Sequence, residues 1–352
     1  MAKFTAHHIR FTVEAQTPLL LPANAGPGIR AALFDALRHH FCPVPDSAPR
    51  DAAHKAFCPV CWLMATENPE GARGRDVPRP YAITPPLPLH QAGGQAMWFS
   101  PGDRFSFGLT LFAQAMALFP YLVVAMPLVG QVGLGVPLAE NGRWEGDKRR
   151  GQFKLCHIKA VNPLSGEVQP VLGEGQTTVR VPDMPATDDD VSLLAEALVS
   201  RMSGSGPIAL SFQSPTRIVE GAHLVRKPYL GPLLRRLWER LDALRGAYAG
   251  LPPVPDREAL SALADQVRLV DDQTQWVEVK SASRRLGRST WVSGYVGRAA
   301  YEAPQSTWAR LLPSLLWGQA THVGKNATKG NGWYRIEWRM ANGEGRMARG
   351  EG

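Results

Sequence analysis

From residue 207 onward the hydrophobic pattern of the sequence runs strand, helix, strand, strand, helix, strand. Alternating apolar and polar residues mark the strands, and apolar residues at three- and four-residue spacing mark the helices. This order is typical of a split β-α-β unit, whereas a doubly wound parallel sheet alternates strands and helices throughout. The predicted segments are Pro207–Ile218, Leu230–Tyr248, Gln275–Lys280, Trp291–Tyr301, Thr307–Gln319 and Trp333–Met340.

The first half of the chain shows the same order less cleanly. Its predicted strands are Ile9–Ala15, Arg104–Phe112 and Gly151–Val161, and Gly28–Phe41 has the apolar stripe of a helix. We therefore predict an α+β protein of two tandem domains. The expected boundaries are a first domain at 1–165 with a cysteine-containing insertion at 42–80, a connector at 166–205, a second domain at 206–340 and a flexible tail at 341–352.

One long segment, residues 105–139, contains no charged side chain and needs to be distinguished from a membrane span. Pro120, Pro127 and Pro137 interrupt it, and glycines follow its apolar core. A buried helix that ends in a Gly-rich turn fits this pattern better than a transmembrane helix. The first ten residues lack the apolar core of a signal peptide, so we expect a cytoplasmic protein without membrane attachment.

Positive charge is concentrated towards the end of the chain. Residues from 280 onward include 12 Lys or Arg, 4 Glu and no Asp, and this excess equals the net charge of +8 of the whole chain. Such a surface attracts a polyanion, either a nucleic acid or an anionic membrane, although it also serves as a plain solubilising surface.

The segment between the last predicted helix and the last predicted strand is rich in glycine and lysine. It contains Gly324, Lys325, Lys329, Gly330 and Gly332. Glycine allows positive φ and close backbone approach, so successive amides could point at a phosphate while the two lysines add charge. The order of elements is the reverse of that in a P-loop, which runs from strand to helix. The simpler interpretation is a glycine turn.

Three of the four cysteines lie together in the insertion of the first domain. Cys42, Cys58 and Cys61 have a spacing that suits tetrahedral zinc, with His54, His39 or His40 as the fourth ligand. Our preferred set is Cys42, His54, Cys58 and Cys61. The alternative is that these residues are reduced thiols without a metal.

Several segments, taken in order, resemble the repeat-processing endoribonucleases of CRISPR systems, a branch of the RAMP superfamily. The glycine loop carries His-Val-Gly-Lys followed by Thr-x-Gly-x-Gly-aromatic. Further similar segments are Arg79–Tyr81, Arg149–Leu155, Ser214–Arg217 and Ser283–Tyr301. The resemblance spans roughly residues 9–338, with two departures, Asn326 where the family usually has Gly and Lys329 where it has an aromatic residue.

The resemblance implies two ferredoxin-like domains of the RRM-like type, with a C-terminal Gly-rich loop, that bind CRISPR repeat RNA. It also implies cleavage without a metal cofactor. A 2′-hydroxyl attacks the adjacent phosphate, which leaves a 2′,3′-cyclic phosphate and a 5′-hydroxyl. This reaction needs a base, an acid and a cation near the phosphate.

In the family, the catalytic histidine often lies on or just after the first helix, which here ends with His39 and His40. His39 lies on the flank of the apolar stripe, whereas His40 falls on the stripe and also fits a core position. His322, just before the glycine loop, is a further candidate, although the helix dipole alone would explain a histidine there.

The resemblance together with the charge pattern predicts a set of RNA contacts. The predicted residues are Arg217, Arg226, Lys227, Arg284, Arg285, Arg288, Gly324, Lys325, Lys329, Gly330 and Gly332. Other subunits of a CRISPR effector are expected partners. Two alternatives remain at this point: a non-catalytic RNA-binding subunit that scaffolds or caps an effector complex, and a zinc-bearing structural module with an incidental basic face.

Overall fold

The computed structural model describes residues 3–44, 51–65, 78–86, 96–139, 148–202, 206–283, 288–340 and 343–346. The first half contains nine strands and five helices among its described residues. The strands are β1 (Ala6–Ala15), β2 (Leu19–Leu21), β3 (Tyr81–Thr84), β4 (Met97–Phe99), β5 (Arg104–Phe112), β6 (Leu134–Ala139), β7 (Lys148–Gly151), β8 (Phe153–Val161) and β9 (Val168–Leu172). The helices are α1 (Gly26–Phe41), α2 (Ala52–Phe57), α3 (Pro59–Ala65), α4 (Phe119–Val132) and α5 (Asp188–Ser200).

The main sheet of this half has the strand order β3-β5-β1-β8-β9 and its pairs are antiparallel. Strand β1 lies at its centre, with α1 and α4 as the crossover helices, which is the ferredoxin-like arrangement. In β1, Ile9, Phe11 and Val13 are buried and their neighbours point to the other face. The apolar stripe of α1 packs on this buried face through Ile29 and Leu33.

The second half contains nine strands and three helices among its described residues. The strands are β10 (Ile208–Thr216), β11 (Ile218–Glu220), β12 (His223–Val225), β13 (Arg268–Val277), β14 (Lys280–Ser283), β15 (Arg288–Trp291), β16 (Gly294–Glu302), β17 (Tyr334–Met340) and β18 (Gly343–Arg346). The helices are α6 (Leu230–Ala249), α7 (Arg257–Gln266) and α8 (Gln305–Thr321).

The sheet of the second half repeats the topology of the first. Its order is β13-β16-β10-β17-β18, with β10 at the centre and α6 and α8 as the crossover helices. Trp238 of α6 is fully buried, and its indole N–H donates to the Ser314 hydroxyl at 2.7 Å. The predicted α+β fold of two tandem ferredoxin-like domains is therefore confirmed.

The two domains share part of their apolar core. Phe4 and Phe112 of the first domain belong to the same buried cluster as Trp238 of the second domain. The Phe4 and Trp317 rings lie 4.9 Å apart between centroids. The Tyr248 hydroxyl donates to the carbonyl of Pro78 at 2.7 Å. These contacts hold the two sheets in one fixed relation.

The uncharged segment forms a helix as predicted, but the helix buries one face only, and Val124 and Val132 are exposed. In the described part of the chain, one stretch, Ala113–Val132, is long and apolar enough to cross a membrane by length and composition. Its first turns are a 3-10 helix, and α4 itself has 14 residues. An α-helix of that length covers about 21 Å, whereas a hydrocarbon core is about 30 Å thick. Leu122 and Met126 pack into the core of the first domain.

Several elements differ from the sequence prediction. Strand β9 lies within the predicted connector but pairs with β8, so the first sheet extends beyond residue 165. Helix α7 was not predicted, and only Leu260 and Ala264 of its ten residues are buried. Strand β18 lies within the segment predicted as a flexible tail and pairs with the edge of β17.

The helix of the connector follows its sequence signals. Thr187 caps α5, its hydroxyl accepts from the N–H of Asp190, and the Asp190 carboxylate accepts from the Thr187 N–H. This capping box fixes the start of α5 at Asp188.

Candidate nucleic-acid interface

The glycine loop between α8 and β17 requires residues that accept left-handed backbone conformations. Gly324, Asn326, Gly330 and Gly332 have φ of 81°, 60°, 95° and 69°. Glycine adopts such angles without a Cβ clash, and Asn tolerates them better than most residues. Asn326 therefore preserves the turn, as the sequence predicted.

Some amides of the loop are already used inside the protein. The N–H of Lys325 donates to the carbonyl of Arg217 at 3.0 Å, and the N–H of Gly332 donates to the carbonyl of Pro215 at 3.1 Å. These bonds attach the loop to the end of β10. The prediction that successive backbone amides of the loop point at a phosphate is therefore wrong for Lys325 and Gly332, because both N–H groups donate to carbonyls of the protein.

The loop also forms a close contact between the two domains. A Cβ at Gly26, the first residue of α1, would lie 1.8 Å from the carbonyl oxygen of Lys329. A Cβ at Gly330 would lie 2.7 Å from Cδ of Pro85. Within loop 324–332, which the structure describes in full, Lys325 alone is exposed, and Lys329 is half-buried. The glycines thus serve the fold, while Lys325 faces solvent.

His322, one of the predicted acid–base residues, lies in the interior. Its side chain is 1% exposed, and its ring stacks on Trp333 with 6.3 Å between centroids. Burial, together with the charges of Arg240 and His8, lowers the pKa of His322 to about 3. A buried imidazole of this kind is neutral at physiological pH and has no access to a substrate, so we leave His322 out of the proposed catalytic pair.

His39 and His40 are both exposed at the C-terminal end of α1. Their rings lie 5.2 Å apart between centroids in an edge-to-face arrangement. The alternative of a core position for His40 is wrong, because its side chain is exposed in the folded protein. The pair lies far from the glycine loop: the loop contacts Gly26 at the other end of α1, and a helix of this length separates the two by roughly 20 Å at about 1.5 Å per residue.

Four of the predicted RNA contacts lie on one side of the second domain. We call them the basic patch, and its members are Arg217, Arg226, Lys227 and Lys325. All but Arg217 are exposed, and Arg217 is half-buried. The hydrogen bond from Lys325 to the Arg217 carbonyl places these two side by side.

The basic patch also affects the one carboxylate beside it. The pKa of Glu278 is lowered, first by hydrogen bonds from Ser293 and Trp276 and then by the charges of Arg226 and Arg217. The Arg226 guanidinium lies over the Trp276 ring, 5.2 Å from its centroid. Trp276 is half-buried and packs against the core of the second domain, so the part of this surface open to a ligand is formed by the arginines, which would neutralise a phosphate.

Three predicted contacts remain, Arg284, Arg285 and Arg288. Arg284 and Arg285 lie outside the described residues. Arg288 is the first residue of β15 and pairs with Ser283. These three residues therefore stay predictions.

A second group of basic residues, which the sequence did not identify, lies between the two sheets. His8 and Arg10 occupy the outer face of β1, and Arg335 occupies the outer face of β17. Burial lowers the pKa of His8 to about 3, and the charges of Arg10 and Arg335 contribute. The pKa of Arg10 is also lowered, by burial and then by Arg335. Two like charges from different domains therefore face each other where an anion would stabilise both.

The sequence contains part of the information that identifies this group of basic residues. Alternation along each strand predicts that Arg10 and Arg335 point away from the domain cores. That the two outer faces meet depends on how the domains pack, which the alternation of a single strand does not determine.

The cysteine-containing insertion brings four metal-ligating side chains together. The Sγ atoms of Cys42 and Cys61 are 3.9 Å apart, and the Nε2 atom of His54 lies 3.4 Å and 3.3 Å from them. Cys58 completes the group, and all four ligand atoms lie within 4.8 Å of one another. These are the four residues that the sequence predicted, and His39 and His40 are not among them.

Comparisons with known proteins agree with this architecture. A family model named AF_1859_N, described as an N-terminal domain, matches residues 4–184. A second, described as CRISPR-associated endoribonuclease Cas6, matches residues 210–334 and so contains β10, the basic patch and the glycine loop. No protein of curated function matches the chain.

Solved structures show the same fold at low sequence identity. A Cas6 of Thermus thermophilus is 14% identical with a TM-score of 0.53, and the match covers 96% of this chain and 100% of that one. A partial Cas6-RT-Cas1–Cas2 complex is 13% identical with a TM-score of 0.58, covering 100% of this chain and 49% of that one. One family model thus matches each domain, and the match of residues 210–334 to the Cas6 endoribonuclease model, together with the shared fold, supports a Cas6-type CRISPR processing protein.

Proposed function

We propose that this protein binds CRISPR repeat RNA and cuts the precursor transcript by attack of a 2′-hydroxyl on the adjacent phosphate. The products are a 2′,3′-cyclic phosphate and a 5′-hydroxyl. The observation that carries this proposal is the match of residues 210–334 to the Cas6 endoribonuclease domain. In this proposal cleavage uses no metal cofactor, and any zinc held by Cys42, His54, Cys58 and Cys61 serves the fold.

Two groups of cations support RNA binding. The basic patch offers Arg226, Lys227 and Lys325 to solvent, with an aromatic face at Trp276 beside them. Arg10 and Arg335 form a second positive site between the sheets. Phosphate contacts of this kind hold RNA in register, and selectivity for a repeat comes from its hairpin shape and from unpaired bases.

The exposed histidines at the end of α1 are the proposed acid–base pair. Imidazole changes its protonation state near neutral pH, so one ring accepts the proton of the 2′-hydroxyl and the other donates a proton to the leaving 5′-oxygen. Both rings are accessible, and their edge-to-face contact places them beside one another. We do not assign which of the two is the base.

A further part of the proposal concerns partners. One matched structure is a Cas6-RT-Cas1–Cas2 complex, in which the match covers 49% of the chain concerned. We therefore propose that this protein also associates with other CRISPR proteins, and that it acts in the cytoplasm.

The test uses labelled repeat RNA incubated with the full chain and resolved on a denaturing gel. Cleavage is expected to continue in EDTA and to stop when the nucleotide before the scissile phosphate carries a 2′-deoxy group. Strict dependence on added Mg²⁺ would overturn the mechanism. Tight binding of the repeat without any cleavage would instead identify a non-catalytic RNA-binding subunit.

A further inference from the structure

The four side chains of the cysteine cluster have the spacing of tetrahedral metal ligands. A zinc ion about 2.3 Å from sulfur and about 2.0 Å from nitrogen places its ligand atoms roughly 3.5–3.8 Å apart. The observed separations are 3.9 Å between Cys42 and Cys61 Sγ, and 3.4 Å and 3.3 Å from these atoms to His54 Nε2. A disulfide is excluded, because its sulfurs would be about 2.05 Å apart.

The main chain around the cluster is arranged so that the ligands converge. Asp51 caps α2 by accepting the N–H of His54 at 2.7 Å, and the N–H of Cys58 donates to the His54 carbonyl at 2.8 Å. His54 and Cys58 are thus one helical turn apart on the same side. Cys61 lies in the first turn of α3, and Cys42 is the residue that ends α1.

The burial of the thiols adds an independent argument. Cys58 is 6% exposed and Cys61 is 0% exposed. A divalent ion would hold these buried thiols as thiolates and neutralise their charge.

A second group of candidate ligands in the described residues provides a contrast. Glu14, Cys156 and Glu174 also lie within 4.8 Å of one another. However, Glu14 forms an ion pair with Lys154 at 2.8 Å, and Arg104 contacts both carboxylates at 3.1 and 2.9 Å. Those carboxylates already have cationic partners, so the group needs no metal ion.

We propose that Cys42, His54, Cys58 and Cys61 bind one structural zinc ion. Three thiolates and one imidazole are a soft donor set that favours zinc over magnesium or calcium, and four protein ligands leave no open position for catalysis. The ion connects the end of α1 to α2 and α3, directly after His39 and His40. This inference goes beyond the proposed function and holds whether or not the protein cuts RNA.

The first test is elemental analysis of full-length protein purified without chelator. About one zinc per chain is expected for the native sequence. Cys61→Ser and His54→Ala should each lower the zinc content to well below half, since three ligands bind the ion more weakly than four. The matched control is Cys156→Ser, which removes the buried cysteine outside the cluster and should retain the full zinc content.

The second test does not depend on whether the variants fold. Reduced native protein stripped of metal is titrated with Co²⁺, which reports tetrahedral thiolate ligation through intense visible and near-ultraviolet absorption bands. Saturation near one Co²⁺ per chain, with bleaching on addition of Zn²⁺, is the expected result. Absence of zinc in the purified native protein together with absence of these Co²⁺ bands would overturn the proposal.

Discussion

At the scale of single residues, burial separates histidines that the sequence could not distinguish. His322 precedes a loop rich in lysine, and its position in the sequence suggested access to phosphate. In the folded protein it is 1% exposed and stacked on Trp333, so its pKa is about 3. His39 and His40 face solvent in the last turn of α1, whose C-cap is the cluster residue Cys42.

The first prediction concerns this histidine pair. His39→Ala or His40→Ala should lower the rate of repeat cleavage by about 100-fold, the size expected for loss of a general acid or base, with little change in RNA affinity. Single-turnover kinetics and fluorescence anisotropy measure the two effects separately. The control is His223→Ala, an exposed histidine on β12. Normal cleavage by both single variants and by the double variant would show that the acid–base assignment is wrong.

The second prediction concerns the lysines of the glycine loop. Lys325→Ala should weaken repeat binding and reduce the slope of log K against log [salt] by roughly 0.7, the value for one phosphate contact to single-stranded RNA. Lys329 is half-buried against Gly26, so Lys329→Ala should have the smaller effect on the slope. Lys3→Ala is the control, because Lys3 is exposed and forms an ion pair with Asp189 at 3.3 Å. An unchanged slope for the Lys325 and Lys329 double variant would exclude the loop from the RNA interface.

At the scale of elements, α1 connects the three features that matter for function. Its first residue contacts the glycine loop, its apolar stripe packs on the first sheet, and its last turn carries the proposed acid–base pair. The proposed zinc site fixes the end of the same helix. A change at one end of α1 therefore affects how the two domains meet, and a change at the other end affects the histidines.

The third prediction compares two glycines in the first turn of α1. Gly26→Ala places a Cβ 1.8 Å from the Lys329 carbonyl oxygen and should destabilise the protein by about 1–3 kcal/mol, the usual cost of overpacking. Gly28→Ala is the matched control, since a Cβ there meets nothing within 4 Å. Alanine is the better helix former by about 0.5–1 kcal/mol, so this variant should be slightly more stable. Urea unfolding of both variants measures the difference, and equal stabilities would mean that the loop does not press on α1.

At the scale of the whole molecule, the packing of the two domains creates properties that neither sheet has alone. Phe4 and Phe112 bury apolar surface in the core of the second domain. Across the same junction, the charge of Arg335 on β17 acts on both His8 and Arg10 on β1. An anionic ligand bound beside these side chains would reduce the electrostatic repulsion between Arg10 and Arg335.

The fourth prediction follows from the pKa of His8, which burial lowers from 6.5 to about 3. The unfolded chain binds a proton at this imidazole more readily than the folded protein does. The contribution of neutral His8 to the free energy of unfolding is therefore complete above about pH 6.5 and is lost as the pH falls towards 3. Thermal unfolding of the native protein should therefore occur at lower temperature as the pH is lowered through this range.

The variant His8→Gln isolates this effect from that of other groups. Glutamine has no titration in this range, so the decline of the unfolding midpoint with falling pH should be less steep than in the native protein. His223→Gln, at an exposed position, should leave the decline unchanged. If the unfolding midpoints of His8→Gln and His223→Gln depend on pH in the same way, the titration of His8 does not determine the stability of the protein in acid.

The sequence by itself determined the order of elements and the identity of the zinc-ligand candidates. Strand alternation around Phe11, the stripe of Ile29 and Leu33, and the cap at Thr187 are local signals, because side-chain direction follows the backbone period of each element. The spacing of Cys42, Cys58 and Cys61 is local too, so the cluster was predictable before the fold was known. Helix α7 and strand β18 were missed: α7 is short and buries only Leu260 and Ala264, and β18 has no apolar residue and depends on pairing with β17.

The tertiary structure alone decided which side chains can meet RNA. Burial of His322, the exposure of Lys325 and the approach of Arg10 to Arg335 all depend on contacts between residues far apart in the chain. The glycine loop shows the difference most clearly: its composition suits a phosphate site, yet the amides of Lys325 and Gly332 donate to protein carbonyls and Gly330 presses on Pro85. Composition sets what a loop is able to bind, but the neighbouring domain determines which of its groups remain accessible.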